Sequence, residues 1–157
     1  MSGVIAFDPS YAKPVAYAYR TGPSWVTAEL AAPAVWRGGL TPIFHEAQER
    51  GVTCCVIEHS FVGKNIRVAQ GLSEVRGAIR AWAGTVGMRV RLVRAAEWKK
   101  VLAVSGYIPK GRDAQKRRAR MVAAEEVGRA LNEDQSEAVC MVMWAEAMLR
   151  QDRLGAA

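Results

Sequence analysis

Hydrophobic residues fall along this chain first in short blocks and then in longer stretches of helical period. Val4-Ile5-Ala6-Phe7 runs straight into Asp8-Pro9-Ser10, which reads as a buried strand halted by a turn. Residues 15–20, with Tyr17 and Tyr19 on one face, and residues 25–30 read as two further strands, parted by Gly22-Pro23-Ser24. Residues 33–39 read as loop. Thr41 is placed to cap a short helix with Pro42 in its first position, extending to Arg50 and ended by Gly51. The apolar run 52–57 reads as a strand buried on both faces, and Glu58 stands at its exit.

From residue 65 to 83 the period changes: Val68, Leu72, Val75, Ile79 and Trp82 recur at spacings of three and four, which predicts a helix. Gly71 and Gly77 inside it each cost about 1 kcal/mol relative to alanine, so close packing against a neighbour is expected there. Residues 88–93 alternate as a half-exposed strand. Residues 95–101 suggest a short helix with Trp98 inward and Lys99 and Lys100 outward, and residues 104–111 are the most loop-like segment. Residues 113–127 and 134–150 read as two closing helices, the last with an apolar stripe of Val139, Met143 and Ala147 beside Cys140 and Trp144. Strands first, then strands alternating with helices, predict an α/β fold with a central mixed sheet. No internal repeat or linker divides the 157 residues, which suit a single domain.

Composition adds bounds. Half the residues are hydrophobic, which excludes a disordered tail. No segment reaches the roughly 18 to 20 apolar residues of a membrane span, and Met1-Ser2-Gly3-Val4 lacks a signal peptide's features. A soluble, cytoplasmic protein is expected, without a membrane partner. Cys54, Cys55 and Cys140 have no metal-ligand spacing. The adjacent pair should point to opposite faces of a strand, so buried, reduced thiols are expected.

The net charge of +7 is unevenly distributed. Arg89, Arg91, Arg94, Lys99, Lys100, Lys110, Arg112, Lys116, Arg117, Arg118 and Arg120 face only Glu97 and Asp113 in residues 89–120. That segment carries +9 and the remainder −2. Such a patch is the footprint of a protein that grips a polyanion, although a solvated basic face has the same composition.

Four acids suggest what happens to the polyanion. Asp8 and Glu58 stand at strand exits, and Asp134 and Glu137 lie at i and i+3 on one helix face, where like charges repel unless cations intervene. Convergent carboxylates are the hard oxygen donors that two-metal phosphodiester hydrolysis requires. Each acid also has a structural reading: Asp8 as a turn former before Pro9, and Asp134 as a charge favoured by a helix dipole. Glu133, beside the candidate cap Asn132, leaves the register of the last pair open.

At this point the residues resemble a family. Ile5-Ala6-Phe7-Asp8-Pro9-Ser10 is similar to the opening strand of RuvC-type Holliday-junction resolvases, members of the ribonuclease H-like nucleases. Val56-Ile57-Glu58-His59-Ser60-Phe61-Val62-Gly63-Lys64-Asn65 resembles their second motif and Asp134-Gln135-Ser136-Glu137-Ala138 their last, with an Arg-Gly pair, Arg76-Gly77, on the intervening helix. The resemblance implies a ribonuclease H-like fold: a central mixed five-stranded sheet flanked by helices. It implies a crossover-junction endonuclease in which Asp8, Glu58, Asp134 and Glu137 hold two Mg²⁺ ions, with Mn²⁺ able to substitute and no small-molecule cofactor. It implies a homodimer that nicks opposed strands of a four-way DNA junction, in a bacterial or phage-infected cell. Phe61 would wedge against unstacked bases. Lys64, Asn65, Arg76, Lys99, Lys100, Lys110, Arg112, Lys116 and Arg117 would contact DNA.

The residues themselves leave alternatives. Phe61 has a core reading, Lys64 and Asn65 a capping one, and either Lys99 or Lys100 suits the phosphate contact. Ser10 stands where the family has glycine, and Glu137 where it has aspartate or histidine; the only histidines are His45 and His59. A ribonuclease H-like nuclease acting on RNA–DNA hybrid or flap DNA, and a non-catalytic branched-DNA-binding module, are the competing functions.

Overall fold

The computed structural model describes residues 3–59 and 65–155. Five strands form one mixed sheet: β1 (Gly3–Asp8), β2 (Val15–Thr21), β3 (Ser24–Leu30), β4 (Val52–Glu58) and β5 (Arg89–Val93), in the order β3-β2-β1-β4-β5. The first three strands are antiparallel neighbours, while β4 runs parallel to both β1 and β5. Among the described residues six helices surround the sheet: α1 (Ala32–Trp36), α2 (Leu40–Glu49), α3 (Ile66–Thr85), α4 (Ala95–Trp98), α5 (Arg112–Val127) and α6 (Glu133–Gly155). A 3₁₀ turn (Lys99–Leu102) continues α4.

Period-two alternation divides the core into two layers. Val4, Ala6, Cys54 and Val56 face α4, α5 and α6 through Trp98, Leu102, Ala123 and Val139. Ile5, Phe7, Cys55 and Ile57 face α2 and α3 through Phe44, Val75 and Ile79. The three cysteines are buried and unpaired, with Cys54 and Cys55 in opposite layers as alternation requires. Among the described residues no helix is long and apolar enough to cross a membrane.

Several local expectations change. The stretch expected as loop contains α1, with Pro33 in its first turn, where a missing N–H costs no helical bond. Thr41 does not cap α2. Gly38 adopts φ of +83°, and the Thr41 N–H donates to its carbonyl at 3.0 Å, so Thr41 is already helical and Gly39 takes the cap position. β5 lies at the sheet edge and is exposed on both faces except at Val93, rather than half-exposed. On α6, Ala147 is exposed rather than part of the buried stripe, which instead takes in Met141 and Val142.

Candidate active site at the strand ends

β1 and β4 are parallel with Phe7 opposite Ile57, so Asp8 and Glu58 leave the sheet side by side. Each lies two residues beyond a core position, Ala6 or Val56, and alternation therefore assigns both to the α6 side of the sheet. Asn132 starts α6 at that edge: its Oδ1 accepts from the Gln135 N–H at 2.9 Å. This cap fixes the register, placing Glu133 and Asp134 in the first turn and Glu137 one turn later. All five carboxylates line one cleft of about 390 Å³.

Burial and mutual repulsion dominate the electrostatics. Asp8 is held well above the ordinary carboxylate range by burial, then by Glu137, Glu58, Asp134 and Glu133. Burial, followed by Glu58, pushes Glu137 up to about 7, and Lys99 opposes the rise. Glu133 moves the other way, lowered by its hydrogen bond to Lys116, with which it forms an ion pair. That pairing distinguishes Glu133 from the other four acids.

Cations surround the carboxylates. Lys99, Arg112 and Lys116 line the same cleft, joined by Lys13. Lys99 was expected to point outward with Lys100, but it lines the cleft from the start of the 3₁₀ turn. There its ammonium donates to Gln115 Oε1 at 3.1 Å, and Gln115 Nε2 donates to the Pro109 carbonyl at 3.0 Å. Lys100, Lys110 and Arg117 are exposed and do not line the cleft. Arg76 is half-buried on α3, its Nη2 donating to Ser73 Oγ at 3.1 Å, and it too lies off the cleft lining. Asn65 caps α3, its Oδ1 accepting from the Arg67 and Val68 N–H groups at 3.1 and 3.3 Å. Phe61 and Lys64 lie outside the described residues.

Three contributors were not assigned a site role in the sequence. Trp98 is fully buried, and its Nε1–H donates to Glu58 Oε2 at 2.5 Å. The pattern placed Trp98 inward, but its partner lies forty positions away and leaves no local trace. Tyr11 and Lys13 line the cleft from the loop after β1. Ser10 organises that loop, its Oγ accepting from the Lys13 N–H at 3.0 Å, so serine at this position makes a defined turn. An aromatic and a lysine within five residues of a strand-terminal acid were the available signal.

An all-oxygen donor set suits hard divalent cations, and cations would relieve the repulsion that adds to burial in raising Asp8 and Glu137. The coordination sphere is not closed as it stands: among the described residues, no three Asp, Glu, His or Cys side chains already form a group able to hold an ion.

No protein-family model and no curated protein matches the sequence. Solved structures do. RuvC from T. thermophilus in complex with Holliday junction substrate superposes with a TM-score of 0.72 at 12% identity, covering 96% of each chain. A second Thermus thermophilus RuvC structure gives 0.69 at 13% identity, again covering 96% of each chain. This chain therefore has the RuvC fold, the ribonuclease H-like mixed sheet that its motifs imply.

Proposed function

We propose that the cleft is the catalytic site of a metal-dependent endonuclease that resolves four-way junctions and related branched DNA by paired symmetric nicks. The observation that carries this reading is the convergence of Asp8, Glu58, Asp134 and Glu137, from two parallel strands and one helix, within a rim of Lys13, Lys99, Arg112 and Lys116. Isolated structural acids have no reason to collect where each raises the cost of charging the next. The T. thermophilus protein of the same fold holds a Holliday junction substrate, which favours branched DNA as the polyanion.

Asp8, Glu58, Asp134 and Glu137 would hold two Mg²⁺ ions, with Mn²⁺ as a substitute. Those ions supply Lewis acidity to the phosphodiester, activation of an attacking water and compensation of charge on the leaving oxygen. The chain's own contribution is orientation. Trp98 fixes one oxygen of Glu58, the Lys116–Glu133 pair holds a wall of the cleft, and Gln115 aims Lys99. Lys99, Arg112 and Lys116 would take phosphates next to the acids. Lys100, Lys110 and Arg117 would contact the backbone farther out, with Arg76 on α3 and with Asn65, Lys64 and the wedge Phe61 just before that helix. Symmetric nicking requires a homodimer. α3 is its proposed interface: Gly77 has open space around it, although Gly71 is occupied by Tyr11 of the same chain.

The test is cleavage of a labelled synthetic four-way junction beside linear duplex and RNA–DNA hybrid, with Mg²⁺, Mn²⁺ or chelator. Paired metal-dependent nicks in the junction, reduced at least about 10³-fold in Glu58→Gln, are expected. Preferential cleavage of hybrid would replace this reading with a ribonuclease H activity. Tight junction binding without cleavage under either metal would leave a non-catalytic binder.

A further inference from the structure

The cleft has one wall that neither metal nor phosphate chemistry uses. Beside the cations, the cleft lining includes Tyr11 with Val68 and Leu72 of α3. Tyr11 keeps 44% of its surface exposed, so its ring is open to a partner. Its position is nevertheless fixed. A Cβ added at Gly71 would lie 2.7 Å from Tyr11 Cγ and Cδ2 and 2.9 Å from Tyr11 Cβ, so the ring rests directly on the α3 backbone. These atoms include the root of the side chain, so rotating its far end would not relieve the clash. Gly77, in the same helix, would meet nothing within 4 Å. Glycine at 71 therefore serves the tyrosine. The Ser10–Lys13 hydrogen bond holds the loop from its other end.

We infer that Tyr11, seated on Gly71, is a platform on which an unpaired nucleobase stacks when its strand enters the cleft; this rests on the nucleic-acid reading above. A nucleotide presents two chemistries, an anionic phosphate and a flat, weakly polar base. The cleft presents the matching pair: four cations around the acids, and an exposed aromatic backed by Val68 and Leu72. Tyr11 is three residues from Asp8, at most about 11 Å along the chain. The stacked base thus belongs to a nucleotide at or next to the phosphate that Lys99, Arg112 and Lys116 would take beside the acids. A base within intact duplex has both faces covered by its neighbours, so the platform selects strands whose bases are already unstacked, as at a branch point.

The experiment measures junction binding by fluorescence anisotropy in chelator for wild-type protein, Tyr11→Phe, Tyr11→Ala and Gly71→Ala. Each is titrated against a normal junction, against junctions with one abasic nucleotide at successive branch-point positions, and against linear duplex. Tyr11→Ala should lose about tenfold in junction affinity, the scale of one base–aromatic stack. Gly71→Ala should show a similar loss because it displaces the ring, while Tyr11→Phe binds as wild type. At one abasic position wild type and Tyr11→Ala should become equal, and duplex affinity should be unaffected. Tyr11→Ala binding as wild type, an equal loss in Tyr11→Phe, or a loss that persists at every abasic position would overturn the platform alone. Wild-type protein that binds no nucleic acid would overturn the functional reading with it.

Discussion

The two faces of the sheet are built from the same strands, yet only one becomes a candidate site. On the α2–α3 face, Ile5, Phe7, Cys55 and Ile57 meet Phe44, Val75 and Ile79 in an apolar packing layer. Phe7 and Phe44 stand 5.4 Å apart between ring centroids in a tilted pair, a favourable aromatic geometry. On the α6 face the alternate residues are smaller, Val4, Ala6, Cys54 and Val56, and their row ends in Asp8 and Glu58. Small residues admit the central helix closely against the sheet, and its capped first turn then carries Asp134 and Glu137 to the strand ends. The contrast shows that a site can follow from the phase of alternation: a one-residue shift in either strand would exchange the acids for the packing layer.

Substitutions on the packing face should act on stability alone. Phe7→Ala is expected to cost about 3–5 kcal/mol in chemical denaturation by removing a fully buried ring. Any protein that remains folded should keep its metal affinity. A comparable loss of metal affinity per folded molecule would break the distinction between the faces.

Trp98 sharpens the comparison because it belongs to the α6-side core and also touches an acid. Trp98→Phe keeps an aromatic ring but removes the only N–H of the indole side chain. Divalent-cation affinity should fall about 10- to 100-fold, as for other partners that orient metal ligands. Unchanged affinity beside reduced thermal stability would make the contact with Glu58 purely structural.

The smallest effect is on pH dependence. In the folded protein Glu137 holds its proton up to about pH 7 against an ordinary value of 4.5, and Asp8 is shifted in the same direction. Between those limits the folded state binds more protons than the unfolded chain, so metal-free stability should decline as pH rises from about 4.5 to 7. Glu133, lowered by Lys116, contributes in the opposite sense, below its ordinary value of 4.5. Denaturant midpoints in chelator should show the decline, and Glu137→Gln should flatten it. A slope unchanged in that variant would assign the dependence elsewhere.

Much of this organisation was legible in the sequence because alternation and helical period report directly on burial. The five strands, the division of Cys54 from Cys55, and the four acids at strand exits and on one helix all follow from spacing. Sequence spacing could not reveal contacts made across the fold. Trp98 reaches Glu58, Tyr11 rests on Gly71, and Arg20 of β2 pairs with Glu126 of α5 and Glu146 of α6. Backbone geometry was the other blind spot. The positive φ of Gly38 moved the start of α2, and Lys99 enters the cleft where α4 gives way to a 3₁₀ turn.

The central claim is that the α6 face ends in carboxylates that together bind divalent cations. Calorimetric titration of Mn²⁺ into chelator-treated protein, with Asp8→Asn in parallel, tests it most directly. The account predicts saturable binding to the wild-type protein that is largely lost in Asp8→Asn while the variant stays folded. Absence of binding to the wild-type protein at millimolar Mn²⁺, or equal binding by both, would contradict it.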